Sequence, residues 1–223
     1  PMVMRIVQRA QKASSLDQVV VATTTDPDDQ AVVDLLQARA VPVVRGHPTD
    51  VLDRYLTAAE AFSADVIVRL TADCPLHDPE VIDKTVLAFL AALPDVDYAS
   101  NRLVRTYPIG LDVEVLTQQA LLLAADEATE AYQREHVTPY LYETEGRARL
   151  LSVKAEQNYG HYRWTVDTPE DLEFVRQIYD HFPGQPDFGW RAVLDLLERE
   201  PQLIEINAHI HQKGFRESEG GSS

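Results

Sequence analysis

The sequence predicts an α/β domain on a mostly parallel sheet, and three observations predict it. Short β-branched runs alternate with stretches of helical period, in the order helix, strand, helix, strand, helix, strand, helix through the first half of the chain. Several of those runs are continuously apolar, as strands covered by helices on both faces must be. The 223 residues contain no internal repeat and no long linker, and that length suits one domain with its own core. A single domain over residues 1–213 is expected, with a polar, Gly/Ser-rich flexible tail over 214–223.

Pro1 to Ala13 has Met4, Val7 and Ala10 at helical spacing, so the chain opens on a helix, whereas an α/β domain usually opens on a buried strand. Val19 to Thr23 is a β-branched strand, and the polar cluster from Thr24 to Pro27 can cap a helix from Asp28 to about Ala40. Val41 to Val44 is a short strand with Pro42 near its start. Val51 to Phe62 repeats Val51, Leu52, Tyr55, Leu56 and Ala59 as a helix would.

Val66, Ile67 and Val68 then form the expected central strand, ending abruptly at Thr71. Asp73 follows at its carboxyl end, the edge at which open α/β sheets bind ligands. An Asp on such a turn can hold a metal ion or a substrate hydroxyl, or it can merely cap the turn, and this stretch alone supports both. Asp78, Pro79 and Glu80 start a helix reaching about Ala92.

Beyond Asp95, Tyr98 to Asn101 resembles a strand end, and Leu111 to Leu116 alternates apolar with acidic. The alternation puts Asp112 and Glu114 on one side, read by itself as a solvated acidic face. Helices are expected over Thr117 to about Ala128, from Arg134 onward, and over Trp190 to Arg199. Arg149 to Val153 and Arg163 to Val166 read as strands. The second runs into Asp167-Thr168-Pro169-Glu170-Asp171, a helix start in which Asp167 or Thr168 caps. Asp167 is thereby a second carboxylate directly after a strand, as Asp73 is. His136, isolated in its segment, is more often structural than catalytic.

A formal charge of −16 argues against nucleic-acid or anionic-membrane binding, but not against a nucleotide held through a divalent cation and a few arginines. No apolar run reaches the roughly 18 residues of a membrane helix, and no signal peptide is evident, so a cytoplasmic location is expected. Cys74, the single cysteine, allows no internal disulfide and reads as a small buried residue before a reactive thiol.

Six blocks together carry a resemblance: VVVATTTDPDD, VPVVRGHPTDVLDRY, DVIVRLTADCPLHDPEVID, RTYPIGLDVEVL, REHVTPYL and YRWTVDTPEDLEFVR, in order from about residue 16 to 180. The chain resembles the cytidylyltransferases of the spore coat polysaccharide biosynthesis protein F type, relatives of the synthetases of CMP-activated acidic sugars. The resemblance implies a three-layer α/β/α sandwich of the nucleotide-diphospho-sugar transferase type and a Mg²⁺-dependent reaction of CTP with a sugar. It implies Asp73 and Asp167 as metal ligands and Thr71 as a nucleotide contact, while Arg69, on the strand, is a candidate cation for the nucleotide phosphates or equally a paired strand residue. Asp112, Glu114, His136 and Arg163 fall in blocks that shape the substrate side. With hard oxygen ligands the pair suits Mg²⁺. Arg45 and Arg54 are further candidate cations for the phosphates. Relatives are often homodimers, and the region from Tyr98 to Leu116 is a candidate interface.

The family opens with a strand and a Gly- and Arg-rich loop around the CTP phosphates, and the sequence contains neither. A natural chain beginning roughly 20 residues earlier is expected, in preference to a homologue that has lost the cradle. Two rival functions follow, a glycosyltransferase using a sugar nucleotide and a catalytically silent binding subunit.

Overall fold

The computed structural model describes residues 1–185 and 187–211, and the tail expected from residue 214 lies outside them. Helix and strand alternate from the start as α1 (Met2–Ala10), β1 (Val21–Thr24), α2 (Gln30–Gln37), β2 (Val43–Gly46), α3 (Val51–Ala61), β3 (Val66–Arg69) and α4 (Pro79–Ala92). The chain continues through β4 (Tyr98–Ser100), β5 (Glu114–Thr117), α5 (Gln118–Glu127), α6 (Ala131–His136), α7 (Pro139–Tyr142), β6 (Leu150–Ser152), α8 (Pro169–Asp180) and α9 (Trp190–Arg199).

Successive strand residues point to opposite faces, and each face carries its own helix layer. Ile67, Tyr98 and Leu116 pack with Leu52 and Ala59 of α3, Leu121 and Ala124 of α5, and Leu141 of α7. Val66, Val68, Ala99 and Val115 turn the other way, onto Val81, Ile82 and Phe89 of α4, Phe174 and Ile178 of α8, and Val193 of α9. The result is the three-layer α/β/α arrangement. A third cluster joins Met4 and Val7 of α1 with Leu36 of α2 over Val21 and Val43.

The sheet departs from expectation in three ways. First, β1 and β2 pair in parallel, as do β4 and β6, but β5 runs antiparallel to both β3 and β4. β5 is reached from β4 by a loop and not by a crossover helix, and such a return gives an antiparallel neighbour. Secondly, β3 is not central: it ends a four-stranded sheet of order β3-β5-β4-β6, while β1 and β2 form a separate pair. A cavity of about 780 Å³ lies between β1 and β3.

Thirdly, two expected strands are shortened by specific contacts. Asn101 donates to the Leu111 carbonyl at 2.7 Å and accepts from the Val113 N–H at 2.8 Å, so ladder pairing begins only at Glu114. The segment from Arg163 to Val166 makes one parallel bridge, to Ile109, before turning toward Asp73. Gly110, at φ +103°, allows this approach: a Cβ there would lie 2.6 Å from the Trp164 carbonyl carbon.

Candidate active site

Two loops meet at the carboxyl end of β3. Tyr55 of α3 donates to the Leu70 carbonyl at 3.2 Å, Thr71 and Cys74 approach at 3.2 Å, and Asp78 caps α4 by accepting from the Glu80 N–H at 2.8 Å. Between these fixed points stands Asp73, half-buried. Its carbonyl accepts from the Val166 N–H at 2.8 Å, which ties the loop carrying Asp73 to the one carrying Asp167. Its carboxylate accepts from Thr165 Oγ1 at 3.1 Å and from Cys74 Sγ at 3.4 Å. Burial disfavours its charge, but the hydrogen bonds from Thr71, its own backbone, Thr165 and Cys74 outweigh burial and hold the carboxyl below its usual range. Asp73 is therefore ionised at neutral pH.

Asp167 is open, its side chain 43% exposed, and one oxygen accepts from Arg163 at 2.6 Å. Arg163 is buried and braced by Asp171, which accepts its Nε at 2.9 Å and a terminal nitrogen at 2.8 Å. Asp171 also closes the capping box with Thr168 and accepts from Asn207 at 2.9 Å. Arg163, expected on the substrate side, is here a strut that fixes Asp167. The donor set fits a hard divalent cation: two carboxylates on adjoining loops, one half-buried and one largely open. Among the described residues no cluster of three or more His, Cys, Asp and Glu forms a metal-binding group, so any further ligands would come from substrate or water.

Glu114 is different in kind. It is 1% exposed, and it accepts from Tyr98 Oη at 2.6 Å and Thr138 Oγ1 at 2.5 Å while paired with Arg69. Arg102 stands 3.8 Å away. Burial opposes its ionisation, yet the Arg69 and Arg102 charges outweigh burial and keep the carboxyl below its usual range. The solvated acidic face expected for β5 is thus corrected for Glu114, whose oxygens meet Arg69 of β3, Tyr98 of β4, and Arg102 and Thr138 of the loops after β4 and α6. Two guanidiniums thus flank one carboxylate at the same sheet edge as Asp73.

Asp112 pairs with Arg105 at 2.7 and 2.9 Å, and its charge and that of Asp73 both reach buried Cys74 and His77. Cys74 is inert: burial pushes its thiol well above the usual range. His136, at the end of α6, is half-buried beside the same network, with its pKa lowered by burial and then by Arg69 and Arg102, against Glu135. Arg45 and Arg54 are not free cations. Arg45 donates to Thr24, Gln30 and Asp26 at 2.8–2.9 Å, and Arg54 to the His47 and Pro48 carbonyls. Sequence reasoning missed Tyr98, Arg102, Thr138 and Thr165. Only Thr165 carried a signal, its place two residues before Asp167.

Comparison with known proteins shows the family. The model of a cytidylyltransferase family matches residues 1–199. An uncharacterized protein of Methanocaldococcus jannaschii is 38% identical over 96% of this chain and 86% of its own length. The spore coat polysaccharide biosynthesis protein SpsF of Bacillus subtilis is 31% identical over 90% of this chain and 82% of its own. A solved structure of a cytidylyltransferase from Leptospira borgpetersenii superposes with a TM-score of 0.88 at 28% identity, covering 96% of this chain and 88% of that one.

Proposed function

The chain belongs to the cytidylyltransferase family, and from that premise we propose that it transfers CMP from CTP to a sugar, with pyrophosphate as the second product. In this reading a sugar hydroxyl oxygen attacks the α-phosphorus in line. The new O–P bond forms as the bond to the β-phosphate oxygen breaks, and the hydroxyl proton passes to solvent. Asp73 and Asp167 would hold Mg²⁺, which when bound neutralises charge on the phosphoryl oxygens. Thr71 and Arg69, at the carboxyl end of β3, would face the nucleotide, and the guanidiniums of Arg69 and Arg102 would favour an anionic group nearby. Arg163 would orient Asp167 through their hydrogen bond.

The observation that carries the reading is the bond from Val166 to Asp73, which brings two ionisable Asp loops to one sheet edge. Likeness to a polysaccharide biosynthesis protein supports a sugar, with an acidic sugar destined for a cell-surface or spore coat polymer as the specific candidate. CTP is a cytoplasmic metabolite, so we place the reaction there. Among the described residues no helix is long and apolar enough to cross a membrane.

The test is product analysis with CTP, Mg²⁺ and a panel of sugar acids and neutral sugars. Pyrophosphate and a CMP-sugar in equal amounts are expected. Release of a nucleoside diphosphate from a sugar nucleotide would replace this reading with glycosyl transfer, and turnover of ATP or UTP in place of CTP would overturn the base assignment.

A further inference from the structure

We propose that Asn207 is a positioning residue for Asp167, acting through Asp171 and Arg163 from a segment beyond residues 1–199, the stretch that the family model matches. The inference rests on the reading of Asp167 as a metal ligand and names the residue that sets its direction from the far side of the strut. The segment is itself anchored. Pro201 opens a 3₁₀ turn over Pro201–Ile206 after α9, with Leu203 buried in the core and Ile204 and Ile206 packed against it. Asn207 follows at 3% exposure, beside Asp171 of α8.

Register explains what Asn207 meets there. The Ile109 N–H donates to the Tyr162 carbonyl at 2.9 Å and the Ile109 carbonyl accepts from the Trp164 N–H at 2.7 Å, so Arg163 between them turns its own carbonyl to the opposite edge. Asn207 Nδ2 donates to that carbonyl at 3.0 Å and to Asp171 Oδ1 at 2.9 Å. Both partners are acceptors, which assigns the amide nitrogen to this side. One group thus ties the backbone of Arg163 to the partner of its side chain. A primary amide carries two N–H donors on one neutral atom, whereas a hydroxyl carries a single donor and could serve only one of the two acceptors.

From Asn207 the contacts run outward to the open carboxylate. Asp171 is fully buried, and burial disfavours its charge, but the bonds from Arg163 and then Asn207 outweigh burial and hold the carboxyl below its usual range. Its Oδ2 accepts from the Asp167 and Thr168 N–H groups at 3.1 Å each and from a terminal nitrogen of Arg163 at 2.8 Å. That same nitrogen reaches Asp167 Oδ2 at 2.6 Å. Asp171 therefore holds Asp167 twice, by its main chain directly and by its side chain through the guanidinium. Without Asn207, the Arg163 carbonyl and the buried Asp171 each lose a donor, and the guanidinium that aims Asp167 gains freedom. Partners that orient a metal ligand are typically worth about 10–100-fold in metal affinity.

The first readout uses no metal and no nucleotide: solvent exchange of the Arg163 Nε–H, followed by NMR in the full chain. Asn207→Ala is expected to speed it about tenfold, and Leu203→Ala, which loosens the same segment without touching the strut, to leave it within about twofold. The second readout is Mn²⁺ in place of Mg²⁺, titrated with CTP and followed by the water-proton relaxation enhancement of the protein-bound ion. Half-saturation is expected to rise about tenfold in Asn207→Ala and to stay within about twofold in Leu203→Ala. Should the alanine variant not fold, Asn207→Ser keeps one donor and is expected to change both quantities about threefold. Unchanged Arg163 exchange in a folded Asn207 variant would overturn the proposal, and so would equal shifts in Leu203→Ala. Mn²⁺ binding that weakens in Asp167→Asn but not in the Asn207 variant would overturn it too, leaving the metal reading intact. Binding unchanged in both would overturn that reading and the proposal together.

Discussion

Glu114 and the pair Asp73 and Asp167 are carboxylates at one edge of one sheet, yet the structure uses them oppositely. Glu114 is sealed among Arg69, Arg102, Tyr98 and Thr138, so its charge is an internal counter-ion. Asp73 is half-buried, held by Thr71, Thr165 and Cys74, and Asp167, held by Arg163, is 43% exposed. A carboxylate with every oxygen enclosed by buried donors serves stability, and one with oxygen to spare can serve a ligand.

The contrast is broken most sharply at Glu114. Glu114→Ala leaves the buried Arg69 guanidinium without its counter-ion and should cost about 3–5 kcal/mol in urea unfolding, with a melting midpoint lower by roughly 10 °C. A loss below about 1 kcal/mol would show that the network is solvated. Gly110→Ala, which forces a Cβ into the Trp164 backbone at positive φ, should cost about 3 kcal/mol. It should also weaken Mg²⁺-dependent nucleotide binding, because the bridge from Ile109 to Arg163 places Asp167; normal binding in a folded variant would contradict that.

His77 sharpens the comparison through pH. It is fully buried, with neither ring nitrogen in good hydrogen-bond geometry. Burial pushes its pKa down to about 4, against Asp112, Asp73 and the Thr71 backbone. The unfolded chain, with a pKa near 6.5, binds a proton that the folded state refuses between those values. The stability is thus present above pH 6.5 and lost as pH falls, by about 2 kcal/mol at pH 5 and roughly 3 at pH 4. His77→Leu should match the parent at pH 7 and exceed it at pH 5 in denaturant titrations; parallel curves would refute the assignment. Asp112→Asn, which loosens only a partly exposed pair with Arg105, should cost about 0.5–1 kcal/mol by the same measurement.

Much of this was legible in the sequence where local chemistry decides. Asp78 before Pro79 marks the start of α4, and Thr168 with Asp171 marks that of α8. The β-branched run before Asp73 placed that residue just beyond the carboxyl end of a strand, where the structure has it after β3. What was not legible depends on partners distant in sequence. The acidic alternation of Leu111 to Leu116 looks solvated until Tyr98, Arg69 and Thr138 are known to meet Glu114. β3 reads as central because it is apolar, but apolarity reports burial and not which strand lies alongside. Arg45 and Arg54 looked available because the carbonyls that occupy them, of Thr24 at the end of β1 and Pro48 in a loop, leave no mark in the sequence pattern.

Calorimetric titration of the four nucleoside triphosphates with Mg²⁺, in the parent and in Asp73→Asn, tests the central claim most directly. The account predicts tightest binding for CTP, at least about tenfold weaker binding in the variant, and a melting midpoint within about 2 °C of the parent. Equal affinity for all four nucleotides, or a variant that binds CTP as the parent does, would contradict it.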